Sequence, residues 1–166
     1  MAGFHTKTFS NHDDYMTPKS AWEAVKDYIP RDKIIWEAFY GDGKSGEYLT
    51  DLGFQVIHED KDFFENDCGD VIISNPPFSL AKEVLTRCKA LGKPFMLILP
   101  VSKINTQYVR QLFMDTPDPL QVIIPRRRIQ FSKLVNGKTV LENRANFDCF
   151  YYCWKMGLPR DIVWLP

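Results

Sequence analysis

Apolar positions along the chain fall into two alternating patterns. Short unbroken runs rich in β-branched and aromatic residues occur at 34–39, 54–58, 71–73, 94–100 and 120–124, and again in the aromatic stretch 147–154. Each has the length and composition of a strand. Between them apolar residues recur at three- and four-residue spacing: Ala21, Trp22, Val25, Tyr28 and Ile29 in the first block, then residues 47–52, 80–91 and 105–114. These spacings predict helices. Thr17 before Pro18 reads as the N-cap of the first helix, with proline at its first position, and Ser79 reads as the cap of the helix over 80–91. Strands that are apolar throughout and alternate with helices predict a doubly wound, mostly parallel sheet covered on both faces, an α/β architecture of the Rossmann-like kind. A hairpin over 134–141, turning at Asn136-Gly137, precedes the last aromatic strand, which should therefore close the sheet antiparallel to its neighbour. The 166 residues fit one domain, 1–166, with no room for a separate recognition domain. Residues 1–14 are polar, lack periodicity and are expected to be a flexible terminus; the tail to Pro166 is expected to be a capping strap.

Chemistry gathers where the predicted strands end. Residues 71–73 open into Asn75-Pro76-Pro77-Phe78, and two consecutive prolines must stop a strand because neither can donate to its ladder. In an open α/β sheet the carboxyl ends of strands are where ligands bind. This turn offers a side-chain amide, a stiffened proline carbonyl and an aromatic ring, a set suited to holding a planar amine. The strand 34–39 carries Glu37 and Phe39 and leads into Gly41-Asp42-Gly43-Lys44-Ser45-Gly46, a loop where backbone can approach a nucleotide-type ligand. That spacing also matches a dinucleotide loop. A carboxylate beneath it, however, attracts a cationic amine and repels a pyrophosphate. The strand 54–58 ends at Glu59-Asp60, where ribose hydroxyls are held in such folds; Asp60 is the first choice and Glu59 the alternative. Asp62, Phe63 and Phe64 follow, a carboxylate and two rings suited to an adenine, with one of the two rings expected to belong to the core. Only about ten residues separate Asp60 from the next strand, so the usual third strand of such a sheet is compressed or missing.

Composition narrows the picture. Basic and acidic residues balance at 21 each, so any attraction for nucleic acid must come from a local patch. Arg126, Arg127 and Arg128, followed by Phe131, supply one: phosphate contacts beside a stacking ring. The hairpin region 126–146 would lie near the site, and Arg144 would add charge there. Four scattered cysteines show no metal spacing and read as reduced, and no metal site is expected. With no apolar run near membrane-spanning length, a soluble intracellular protein is expected.

With these residues in hand the chain resembles the class I, S-adenosylmethionine-dependent amino-methyltransferases, and especially the adenine-N6 DNA methyltransferases with an N/D-P-P-Y/F/W motif. Tyr15-Met16-Thr17-Pro18 looks like the family's N-terminal motif, and residues 37–43 look like its D/E-P-F-x-G-x-G motif with Ala38 in place of proline. Asn75-Pro76-Pro77-Phe78 carries the resemblance most specifically. The resemblance implies S-adenosylmethionine as cofactor, held by Tyr15, Thr17, Pro18, Glu37, Phe39, Gly41, Gly43, Asp60, Asp62, Phe63 and Asn75. It implies Asn75, Pro76, Pro77 and Phe78 as the reacting turn, with Phe78, Phe131 and the three arginines on the substrate. The activity implied is methylation of the adenine N6 amine in DNA. Asn75 and the Pro76 carbonyl would accept the amino hydrogens, Phe78 would stack on the base, and Phe131 would cover its second face once the base is flipped from the duplex. Adenine in RNA, cytosine N4, a protein glutamine amide and a cofactor-binding, non-catalytic subunit remain alternatives. A homodimer or a partner protein is expected to supply target recognition.

Overall fold

A computed structural model describes residues 15–135, 138–141 and 148–166. Its strands are β1 (Tyr15–Met16), β2 (Ile34–Trp36), β3 (Gln55–Ile57), β4 (Val71–Ser74), β5 (Phe95–Pro100), β6 (Leu120–Ile124), β7 (Ser132–Val135), β8 (Lys138–Leu141), β9 (Cys149–Trp154) and β10 (Ile162–Trp164). Four α-helices, α1 (Lys19–Glu23), α2 (Lys44–Asp51), α3 (Ala81–Leu91) and α4 (Gln107–Phe113), lie between them. Seven strands form one sheet in the order β10-β6-β9-β5-β4-β2-β3. All neighbours are parallel except at β9, which runs antiparallel between β5 and β6. This is the predicted doubly wound, mostly parallel sheet with an antiparallel closing strand.

Burial explains why the central strands read as continuous apolar runs. Every residue of β4 and β5 is buried, since a parallel strand in mid-sheet is covered on both faces. The chain steps from β2 to its outer neighbour β3, then returns to lay β4 on the other side of β2. Right-handed crossovers in these opposite directions put α2 and α3 on opposite faces of the sheet. The reversal between β2 and β4 is the topological switch point, where such sheets leave an open crevice. No strand lies between β3 and β4. The segment that joins them packs Phe63 against β2, its ring 5.2 Å from Trp36.

Several boundaries differ from the sequence expectation. Thr17 does not cap α1: Pro18 occupies the N-cap position in an extended conformation, without a side-chain cap bond. A residue preceding proline is pushed out of the helical region, and here Thr17 is turned into the fold, 4% exposed. The first helix is also shorter than its apolar spacing suggests, giving way to a 3₁₀ turn over Lys26–Tyr28. Ser79 does not cap α3 either, since it lies inside a 3₁₀ turn over Phe78–Leu80 that runs directly into the helix. The tail is a true edge strand, β10, parallel to β6. The hairpin strand β7 also pairs antiparallel with β1, forming a second sheet in the order β1-β7-β8. His5, His12, the Asn136-Gly137 turn and Arg144 lie outside the described residues. No described helix is long and apolar enough to cross a membrane.

The fit of α2 against β3 depends on a missing side chain. A Cβ on Gly46 would come within 2.2–2.4 Å of the His58 ring and 2.5 Å of its Cβ. Alanine at 46 gains helix propensity of roughly 1 kcal/mol but overpacks this contact by about 1–3 kcal/mol. Gly46→Ala should therefore lower the urea midpoint, and the loss should be smaller in a His58→Gly background, which removes the opposing Cβ together with the ring.

Candidate active site

The crevice at the switch point is built from the carboxyl ends of β2 and β4. Glu37 follows β2 directly, and Ser74 ends β4, which pairs with β2 through Trp36 and Ile72. One oxygen of Glu37, Oε1, accepts hydrogen bonds from Ser74 Oγ at 2.5 Å and from the Phe39 backbone N–H at 2.9 Å. Glu37 is 2% exposed, and burial pushes its pKa up from 4.5 to about 8. The two hydrogen bonds pull the other way but do not overcome the desolvation.

Beyond Glu37 the backbone turns through Gly41 at φ +58° and Gly43 at φ +80°. Both values favour glycine, and neighbouring side chains leave no room for a Cβ at Gly43, which would meet Tyr40 at 2.9 Å. The loop thus presents bare backbone to the crevice, and Gly43 occupies the N-cap position of α2.

Asn75 stands opposite. Its Nδ2 donates to the Tyr15 carbonyl at 3.1 Å, which fixes the side-chain amide and identifies which end is oxygen. Its Oδ1 is buried and has no partner among the described residues. Thr17 Oγ1 is in the same condition, freed from the capping role the sequence suggested. A buried acceptor without a protein partner costs free energy, and a water or a ligand in the cleft can supply the missing hydrogen. The cleft itself is walled by Tyr15 to Thr17 from β1 and its exit, Phe39 to Asp42 and Ser45 from the glycine turn, and Asn75 and Pro77 from the proline turn.

The structure therefore brings together Tyr15, Thr17, Phe39, Gly41, Asn75 and Pro77 around one cleft, with Glu37 beneath it. Pro18 lies just outside, on a neighbouring groove that it shares with Arg126, Arg127 and Arg128. Asp62 is 4% exposed; its Oδ1 accepts from the Phe64 backbone at 2.9 Å, while Oδ2 is buried without a partner among the described residues. Asp60 is exposed, and Glu59 is paired with Lys61 at 3.0 Å. Phe63 is a core ring with no exposed surface, packed 4.9 Å from Phe39 as well as against Trp36, so it is the member of the Phe63-Phe64 pair that belongs to the core. Phe78 retains 6% exposure. Phe131 is fully buried and meets Phe78 edge-on, 6.3 Å away at 77°, so neither of its faces is open to a base in this conformation.

The three arginines follow β6 on an exposed turn at the same end of the sheet. Arg128 is hydrogen-bonded to Asp148, which holds that carboxyl below its usual range. Among the described residues Arg126 and Arg127 have no ion-pair partner. Met16, Tyr40, Asp42 and Ser45 line the cleft but were not singled out in the sequence. All four sit within the two motifs that were, so their neighbours carried the only available signal.

No protein-family model and no curated protein matches the chain. Among solved structures, a proposed RNA methyltransferase from Pyrococcus horikoshii superposes with a TM-score of 0.55 at 16% identity, covering 93% of this chain and 91% of that one. The fold is the Rossmann-like fold of methyltransferases. At that identity the likeness extends to the arrangement of strands and helices, and the cleft described above lies at the switch point common to such sheets.

Glu37 ties the site to stability. A carboxyl whose pKa is raised on folding binds more protons in the native state than in the unfolded one, so its contribution is complete below 4.5 and is lost as pH rises to about 8. Glu37→Gln keeps the acceptor for Ser74 and Phe39 without the ionisation. It should stabilise the ligand-free protein above pH 8 by roughly 3–5 kcal/mol and flatten the stability profile between pH 5 and 8, as read by urea unfolding across pH.

Proposed function

We propose that the chain is an S-adenosylmethionine-dependent methyltransferase acting on the N6 amine of adenine in nucleic acid, with DNA as the first reading. The observation that carries it is the Asn75 side chain: a buried amide oxygen without a partner, held in orientation by the Tyr15 carbonyl, on a turn that offers further carbonyl and ring surface.

The residues present fit the cofactor. The bare backbone at Gly41 and Gly43 suits the close approach of a nucleoside, and Thr17 Oγ1 and Asp62 Oδ2 are buried acceptors lacking hydrogens to accept. Glu37 suits the cationic end. A positive charge nearby stabilises its ionised form, so cation binding and release of the Glu37 proton are coupled. S-adenosylmethionine, when bound, supplies an electrophilic methyl group on a sulfonium. Tyr15, Thr17, Pro18, Glu37, Phe39, Gly41, Gly43, Asp60, Asp62, Phe63 and Asn75 are the proposed cofactor set. The burial of Phe63 assigns it to supporting Phe39 from behind, and the orphaned oxygen favours Asp62 over the exposed Asp60 as the stronger acceptor.

The chemistry required of the protein is modest. The adenine amine is a poor nucleophile because its lone pair is delocalised into the ring. Asn75 Oδ1 and the Pro76 carbonyl accept its two hydrogens, favouring a pyramidal nitrogen whose lone pair is free to attack. Pro76 and Pro77 stiffen the turn, so this geometry is set before the substrate arrives. Phe78 bounds the base on its apolar side. The exposed Arg126 and Arg127 supply phosphate contacts, and a base in a duplex must be flipped to reach Asn75. The motif set supports DNA; the structural neighbour described as acting on RNA supports adenine in RNA as the second reading.

Transfer of a labelled methyl group to DNA, RNA and protein pools, followed by nucleoside analysis, tests this. Label should appear as N6-methyladenine with the wild-type chain and fall by at least about 10²-fold with Asn75→Ala, in line with loss of a preorganised acceptor. Label confined to protein, or equal in both chains, refutes the assignment. The double change Arg126→Ala and Arg127→Ala should weaken binding to all sequences alike and reduce the slope of log K against log salt by about 1.5–2, the value for two lost phosphate contacts.

A further inference from the structure

We infer that Phe131 is a positioning residue, through which the hairpin following β6 holds both ends of the Asn75-Phe78 turn in place. The inference rests on the methylation reading for what the turn does, but the contacts stand independently of it.

Phe131 has no exposed surface. Its ring meets Tyr15 at 6.1 Å and 64°, and Phe78 at 6.3 Å and 77°, both edge-to-face arrangements. Those two neighbours hold the turn at opposite ends. Tyr15 provides the carbonyl that anchors Asn75 Nδ2, and Phe78 is the turn's last residue. The backbone reinforces the ring: Ser132 pairs with Met16 and Lys133 with Tyr15, so the two-residue strand β1 depends on β7 for its sheet pairing. At the base of the excursion Arg128 and Asp148 are hydrogen-bonded across the two chain ends that enter and leave it.

The direction of Asn75 Oδ1 is therefore set by a relay. β7 and Phe131 fix Tyr15, the Tyr15 carbonyl fixes Nδ2, and a planar amide with one end fixed has its other end fixed too. Phe131 touches Phe78 in the same contact, so the amide acceptor and the ring bounding the base are located relative to one another by one side chain. A fully buried ring locked between two others is a firmer support than an exposed loop residue could give. This differs from a role as the second face of a base stack, which requires an open ring face.

The test compares Phe131→Leu with Phe113→Leu in the full chain. Phe113 is a core ring of similar burial that packs against Phe95 and Trp154, away from the turn. Phe131→Leu should lower kcat about 10- to 100-fold with KM for the nucleic acid within about threefold, the pattern of a misplaced reacting group. Phe113→Leu should leave kcat within about twofold once folded protein is matched. Phe131→Met, which keeps an adaptable apolar side chain, serves where the leucine variant does not fold. A second readout needs no turnover: the Asn75 side-chain amide protons, assigned by their loss in Asn75→Asp, should exchange with water about tenfold faster in Phe131→Leu than in wild type. A raised KM with unchanged kcat would make Phe131 a stacking face. A kcat loss matched by Phe113→Leu, or unchanged exchange at Asn75, would leave it an ordinary core ring. Absence of methyl transfer by the wild-type chain would refute the methylation reading, and the exchange rates would still decide the relay.

Discussion

The hydrogen bond from Ser74 to Glu37 is the hinge of the structure's chemistry, because it joins the two strand ends that diverge at the switch point. Parallel pairing of β2 with β4 brings the end of the acidic strand beside the end of the proline-terminated one, although 37 residues separate them in the chain. Everything proposed for the cleft depends on that adjacency. The glycine turn extends from one strand end and the Asn75 turn from the other, so a methyl donor resting on the first would lie next to an amine held by the second. The hydroxyl of Ser74 also explains why a glutamic acid can be buried at all: a polar group enclosed in a core needs partners, and Glu37 has two.

Several buried polar groups lie near these strand ends. Among the described residues Thr17, Asp62 and Asn75 each enclose an oxygen without a hydrogen-bond partner, and burial raises the pKa of Glu37. A fold selected for stability alone would satisfy these groups or replace them with apolar ones. Of these, Thr17 and Asn75 line the cleft itself. The burial of the aromatic rings behind it has the opposite purpose. Trp36, Phe39 and Phe63 pack on one another under the glycine turn, and Tyr15, Phe78 and Phe131 pack beside the Asn75 turn, so both turns rest on rigid aromatic supports.

The small size of the chain shapes the remainder. The segment between β3 and β4 holds no strand, and its Phe63 packs on Trp36 at the end of β2. The turn that follows β6 carries the exposed arginines. The overall charge balance keeps the protein from attracting polyanions indiscriminately, leaving Arg126 and Arg127 as a local feature at the carboxyl end of the sheet.

Much of this was legible in the amino-acid sequence. Runs such as 71–73 and 94–100 declare buried parallel strands, Pro76-Pro77 can only end one, and the order of the glycine turn, the acidic strand end and the Asn-Pro-Pro-Phe turn points to a fold that superposition with a methyltransferase structure bears out. Those features are local: they follow from backbone sterics, hydrogen-bonding capacity and the period of apolar positions. What the tertiary structure decided is partnership and depth. Thr17 has the chemistry of a cap, but only the packed chain reveals that its hydroxyl turns inward. Phe63 and Phe64 are indistinguishable as neighbours, and burial against Trp36 separates them. Phe131 looks like a stacking ring beside arginines until β7 pairs with β1 and carries it into the core. Short-range physics fixes which element a residue belongs to, whereas the face it presents depends on contacts with residues tens of positions away, and those exist only once the sheet has closed.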